Sequence, residues 1–108
     1  MRAYELMVIF DGDLEDADVG KWVKQTEELA TGGGATLAKT DLWGKRKFAY
    51  EIDHKAEGYY LVIELTAENG AFIENLERQL RLADDVVRHK LIRLPDHEAE
   101  KRGLVAAS

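Results

Sequence analysis

The chain contains no cysteine, only one proline and no long apolar run, and each absence removes a class of protein. Without cysteine there is no disulfide framework, thiol nucleophile, zinc knuckle or iron–sulfur cluster. The apolar run at residues 6–10 is cut off by Asp11. It is too short for a signal-peptide core and far too short to cross a bilayer, so neither export nor membrane insertion is expected. The three histidines, His54, His89 and His97, show no metal-ligand spacing, and there is no nucleophile elbow or H-E-x-x-H. Gly32-Gly33-Gly34 follows a helical pattern and precedes a strand pattern, the reverse of a phosphate loop. Asp11, Asp13, Glu15, Asp16 and Asp18 lack the twelve-residue calcium pattern and read as turn and helix-start acids. No catalytic group, metal or cofactor is expected.

What is present is a 108-residue chain, 45% hydrophobic and 33% charged, enough for one core and one folded unit. Its net charge of -6 argues against nonspecific nucleic-acid binding, but the cations are unevenly spread. Residues 39–55 carry five Lys or Arg against three acids, and residues 78–93 carry five against two.

Residues 3–10 alternate as a strand, with Tyr4, Leu6, Val8 and Phe10 on one face and Ala3, Glu5, Met7 and Ile9 on the other. Asp11-Gly12-Asp13 reads as a turn, with Asp13 placed to cap a helix. That helix carries one inward stripe of Val19, Trp22, Val23, Thr26, Leu29 and Ala30, and the three glycines end it. Residues 35–52 form a long strand bulged at Gly44, and a polar loop over residues 53–58 leads into the strand at residues 59–65. Asn69-Gly70 opens a second helix with Phe72, Ile73, Leu76 and Leu80 inward; residues 86–94 make the last strand. The order βαββαβ predicts an α+β, ferredoxin-like fold: a four-stranded antiparallel sheet with two helices on one face. Residues 1–94 make the domain. Residues 95–108, beginning at Pro95, are expected to be a flexible C-terminal tail with too little apolar content to pack by itself.

Because this fold serves many functions, the residues must decide. Lys45, Arg46 and Lys47 cluster on a strand that enters the sheet only through its hairpin partner, so they lie at an edge. Edge lysines guard against edge-to-edge aggregation; arginines and lysines gathered on an acidic protein also suit phosphate. Arg81, closing the second helix, and Arg88, starting the last strand, add to this, and Arg2 is expected to reach the same end of the sheet as Arg88. Tyr4 and Tyr59 share the alternation of Leu6 and Leu61 and belong to the core rather than to a base-stacking surface.

The opening Met1-Arg2-Ala3-Tyr4-Glu5-Leu6-Met7, the stretch Gly44-Lys45-Arg46-Lys47-Phe48-Ala49-Tyr50-Glu51-Ile52 and Gly58-Tyr59-Tyr60 resemble the bacterial small-subunit ribosomal protein six family, over residues 2–94 in order. The resemblance implies a non-enzymatic cytoplasmic protein of the ribosome. It would bind the central domain of small-subunit ribosomal RNA together with the small basic small-subunit ribosomal protein eighteen. It also implies RNA contacts at Arg2, Arg46, Lys47, Arg81 and Arg88, with Lys45 a local addition. Partner contacts fall at Asp96, His97, Glu98, Ala99, Glu100 and Lys101, and the isolated chain is expected to be a monomer. Two rivals remain at this level. A homodimeric regulatory domain of the ACT type would favour a glycine-rich loop after the first strand, and a dimeric barrel enzyme would need a convergent acid or histidine in the sheet.

Overall fold

The computed structural model describes residues 1–105, in the order β1 (Arg2–Asp11), α1 (Asp16–Gly32), β2 (Thr36–Ile52), β3 (Lys55–Ala67), α2 (Ile73–Leu82), β4 (Val86–Arg93) and α3 (Asp96–Lys101). The first six elements make the anticipated ferredoxin-like sheet, antiparallel throughout in the order β2-β3-β1-β4. The long strand β2 and the last strand β4 are its edges. Tyr4, Leu6, Val8 and Phe10 of β1 and Tyr59, Leu61, Ile63 and Leu65 of β3 are buried in one core with Val19 and Ala30 of α1 and Leu76 and Leu80 of α2. Trp22, Val23 and Leu29 complete the α1 stripe as half-buried side chains. Tyr4 packs edge-on against Phe72, with ring centroids 5.1 Å apart. Both tyrosines are core residues, and the Tyr59 hydroxyl stays satisfied by donating to Leu14 O or Asp16 Oδ1. Trp22 stacks on Phe10 and donates its indole N–H to Asp85 at 2.9 Å, tying α1 to the start of β4.

Three local features differ from the sequence reading. Asp13 does not cap α1: the helix starts at Asp16 without a side-chain cap, and the Asp13 N–H donates to Asp11 Oδ1 at 3.0 Å, which closes the turn earlier. The β2–β3 loop is not six residues long. Asp53 and His54 both take positive φ (50° and 64°), a two-residue turn that lets Ile52 pair with Lys55. The bulge expected at Gly44 is present, at φ 89° between Leu42 and Gly44, and a larger one sets residues 48–51 against Ala56 alone.

The third difference concerns residues 95–105. The segment expected to be a flexible tail forms α3 and lies against β1 on the face away from α1 and α2. Ala99 is buried on Ala3 and Leu94, with Leu104 and Val105 packed alongside. A six-residue helix has little stability of its own, so it is the seat on the sheet that holds it, together with Arg102, described below. Residues 106–108, the rest of that expected tail, lie outside the described residues.

Gly58 marks the tightest approach in the sheet: a Cβ there would stand 2.7 Å from both Ile9 Cγ2 and the Phe10 carbonyl oxygen. Gly58→Ala is therefore expected to lower stability by about 1–3 kcal/mol, read as a drop in the urea midpoint. Unchanged stability would mean that the strands part freely there. A second expectation concerns Asp11. Lys55 Nζ lies 2.7 Å from its Oδ2, and that bond, with the Asp13 N–H, holds the Asp11 carboxyl below its usual range; Asp11 in turn raises Lys55. The carboxylate's contribution is thus complete above the unfolded value near pH 4 and lost as pH falls through the lower folded value, whereas that of Lys55 is lost only as pH rises through its raised value, above about 10.4. Asp11→Asn should unfold at lower urea than the parent at about pH 7, and the gap should close at about pH 2. A gap that persists in acid would contradict the assignment.

Candidate nucleic-acid interface

Helices cover one face of the sheet, and the alternation that buries Leu6 and Leu61 sends Met7, Ile9, Tyr60 and Val62 to the other face. On β4 the same alternation places Arg88 opposite Ile9, Lys90 opposite Met7 and Ile92 opposite Glu5. The Gly44 bulge turns Trp43 onto Tyr60, ring planes 8° apart and centroids at 6.1 Å, and Phe48 meets the same tyrosine edge-on. An aromatic cluster, with Trp43 45% exposed, thus stands beside the β2 edge. Sequence reading missed Trp43. Its only local signal is its position before the bulge glycine.

The basic triplet separates in the structure. Lys45 pairs with Tyr59 across the strands, lies 5.4 Å over the Tyr59 ring and comes within 3.9 Å of Glu57. Arg46 pairs with Gly58, so its position belongs to the open face, while Lys47 lies opposite Glu57 on the part of the hairpin that overhangs the end of β1. Arg46 and Lys47 are exposed, and neither makes an ion pair or side-chain hydrogen bond among the described residues. The same is true of Arg81, in the last turn of α2, of Arg88, and of the half-buried Arg2. Lys21 and Lys24 on the outer side of α1 are equally unpaired among the described residues, so pairing alone does not mark a site. Position does. Arg46, Lys47 and Arg88 gather at the end of the sheet where β1 finishes, spread across three strand spacings, roughly 14 Å, and Arg81 stands in the last turn of α2, just before the chain enters β4 at that end. Ungrouped with them is Arg2. Because β1 and β4 run antiparallel, the start of β1 lies beside the end of β4, and Arg2 is seven residues, roughly 23 Å, from the level of Arg88. The expectation that the two share one end is corrected by that register.

The opposite end of the open face is acidic. Glu5 and Glu64 are direct partners across β1 and β3, and a concavity of about 300 Å³ lies between them and Lys39, Asp41 and Trp43 of β2. Arg102, just beyond α3, closes it. Its Nη1 is 3.3 Å from Glu5 Oε1 and 3.3 Å from Glu64 Oε2, and its Nε is 2.8 Å from Glu98 Oε1. The hydrogen bond from Arg102 holds the Glu98 carboxyl below its usual range, and Glu98 in turn is the main cause of a raised Arg102. Of the residues expected to meet a partner, Asp96, His97 and Lys101 are exposed, Glu98 and Glu100 are half-buried, and Ala99 faces the sheet.

Residues 3–93 match the family model described as Ribosomal protein S6. Among curated proteins, the chain is 48% identical to the small ribosomal subunit protein bS6 of Salinispora arenicola over 86% of its own length and 96% of that protein's. It is 42% identical to the bS6 protein of Streptomyces coelicolor, over 90% of this chain and all of that one. Among solved structures, the 30S ribosomal protein S6 of Thermotoga maritima superposes with a TM-score of 0.83 at 26% identity, covering 95% of this chain and 96% of that one.

With no ion-pair or hydrogen-bond partner among the described residues, Arg46 and Lys47 are expendable for stability. The double variant Arg46→Ala/Lys47→Ala is expected to unfold within about 0.5 kcal/mol of the parent in urea. A loss of more than about 2 kcal/mol would make the two residues structural.

Proposed function

The chain belongs to the ribosomal protein S6 family, non-enzymatic components of the small subunit of the cytoplasmic ribosome, and from that membership we propose that it binds the central domain of small-subunit ribosomal RNA jointly with small-subunit ribosomal protein eighteen. The observation that carries this reading is the gathering of Arg46, Lys47, Arg81 and Arg88, all without an anionic partner among the described residues, at one end of a protein whose net charge is -6. Guanidinium groups suit phosphate oxygens geometrically, and the three strand cations over roughly 14 Å, with Arg81 at the end of α2, span more than one phosphate of a folded RNA. Arg2 approaches the same RNA from the far end of the sheet. Lys45, engaged by Glu57 and Tyr59, contributes less than its neighbours. These contacts grip backbone and shape, with no base-reading pattern among them.

The chain is acidic overall, so alone it is repelled by RNA at long range. A basic protein partner offsets that repulsion and is itself steered by the acidic surface, which makes the pair the binding unit. Asp96, His97, Glu98, Ala99, Glu100 and Lys101 of α3 supply partner contacts. The chain alone is a monomer in this reading.

Arg46→Ala/Lys47→Ala is expected to weaken binding of the paired complex to a central-domain RNA fragment about tenfold at 0.1 M salt. It should also make the logarithmic salt dependence shallower by roughly one to two units, one per lost phosphate contact. An unchanged slope would remove these residues from the interface.

A further inference from the structure

Glu5 and Glu64 stand directly opposite each other on the two central strands, on the face that the main helices leave open. Like charges so placed destabilise a sheet unless a cation lies between them. Lys39 of β2 stands across from Glu64 on its other side, but the cation that reaches both carboxylates is Arg102, 97 residues beyond Glu5 along the chain, and its guanidinium also holds Glu98 on α3. One side chain therefore fastens the last helix to both central strands. The fork geometry matters here, because Nε and Nη1 serve different carboxylates at once, which a lysine ammonium cannot reproduce in the same arrangement.

Apart from this clasp, α3 is lightly held. Its apolar seat comprises three small or medium buried residues, Ala3, Leu94 and Ala99, with half-buried Leu104 and Val105 beside them, against fifteen buried residues in the main core. The helix has six residues and no side-chain cap. The Arg102 side chain is 31% exposed, and its three carboxylate partners are 18–34% exposed, so salt reaches and screens the whole cluster. A short helix that exists only while docked, fastened by a screenable charge cluster, opens at low cost while the sheet beneath stays folded.

We propose that α3 is a strap, closed over the Glu5–Glu64 pair in the isolated chain by Arg102, and that it lifts when a basic protein partner presents its own cationic side chain to that pair. The occupant follows from charge: with Lys39 beside Glu64 only, the two facing carboxylates of a protein of net charge -6 favour a second cation between them, and Arg102 is the internal stand-in for one. The second half of the proposal rests on the reading of a basic partner given above; the closure by Arg102 does not. Lifting also frees the inner side of residues 96–102, which then order against the partner instead of against the sheet.

Two measurements on the full chain test this. In hydrogen–deuterium exchange, amides of residues 98–104 are expected to exchange about tenfold faster in Arg102→Gln than in the parent, with Arg102→Lys intermediate. The parent should approach the Gln variant at roughly 0.5 M salt, where the Debye length is only a few Å. Amides of Leu6 and Ile63 should not change. Exchange in residues 98–104 that is indifferent to Arg102, or equal acceleration in β1 and β3, would overturn the closure. The second measurement is the affinity of purified small-subunit ribosomal protein eighteen at low salt, expected to be several-fold tighter for Arg102→Gln because the strap no longer competes. Equal or weaker affinity overturns the competition. If neither form binds while exchange behaves as expected, the partner reading and the second half of the proposal fall and the Arg102 closure stands.

Discussion

Ten consecutive residue pairs join β1 to β3, from Arg2 opposite Ala67 to Asp11 opposite Gly58, and the rest of the molecule depends on that register. A slip of one residue would turn one of the two strands over, sending Leu6 and Val8, or Leu61 and Ile63, to the open face and bringing Glu5 or Glu64 into the core. The one-sided burial of these strands holds the register: α1 and α2 cover a single face, so only one alternation is tolerable. Gly58 admits the strands to each other at the end of the pairing, where any side chain would meet the Phe10 carbonyl oxygen. From the same register follow the level of Arg88 beside Ile9, the overhang that carries Lys47, and the facing carboxylates that call for Arg102.

Much of this was legible from local pattern. The alternation of β1 and β3, the inward stripes of α1 and α2, and the bulge at Gly44 each depend on residues close in sequence, and each was read correctly from them. The core placement of Tyr4 and Tyr59 followed from the same alternation. The two-residue turn was not legible, because Asp53-His54 lacks the glycine that normally announces a turn with two positive φ angles. Asp13 looked like a helix cap because nothing local revealed that the helix would begin only at Asp16, with Glu15 in the cap position.

The site was legible in composition and illegible in arrangement. That residues 45–47, Arg81 and Arg88 are basic is plain from the chain. That Lys45 turns to Glu57 and Tyr59 while Arg46 does not depends on pairing with β3, and that Arg2 lies far from Arg88 depends on pairing with β4. The helix α3 was hidden for the same reason. Its footing is Ala3, its clasp is Glu5 and Glu64, and none of these is near residues 96–102 in sequence. The result is an open face with two electrostatic ends: a bare basic end, and an acidic end neutralised from within. Such a surface suits joint binding, with phosphate drawn to one end and a basic protein to the other.

The most direct measurement is a salt-titrated binding experiment on a central-domain ribosomal RNA fragment with this protein alone, small-subunit ribosomal protein eighteen alone, and the two together. The account requires weak binding by each alone and tight, steeply salt-dependent binding by the pair, with a coupling of at least about tenfold. RNA affinity of the partner that is the same with or without this chain would contradict it.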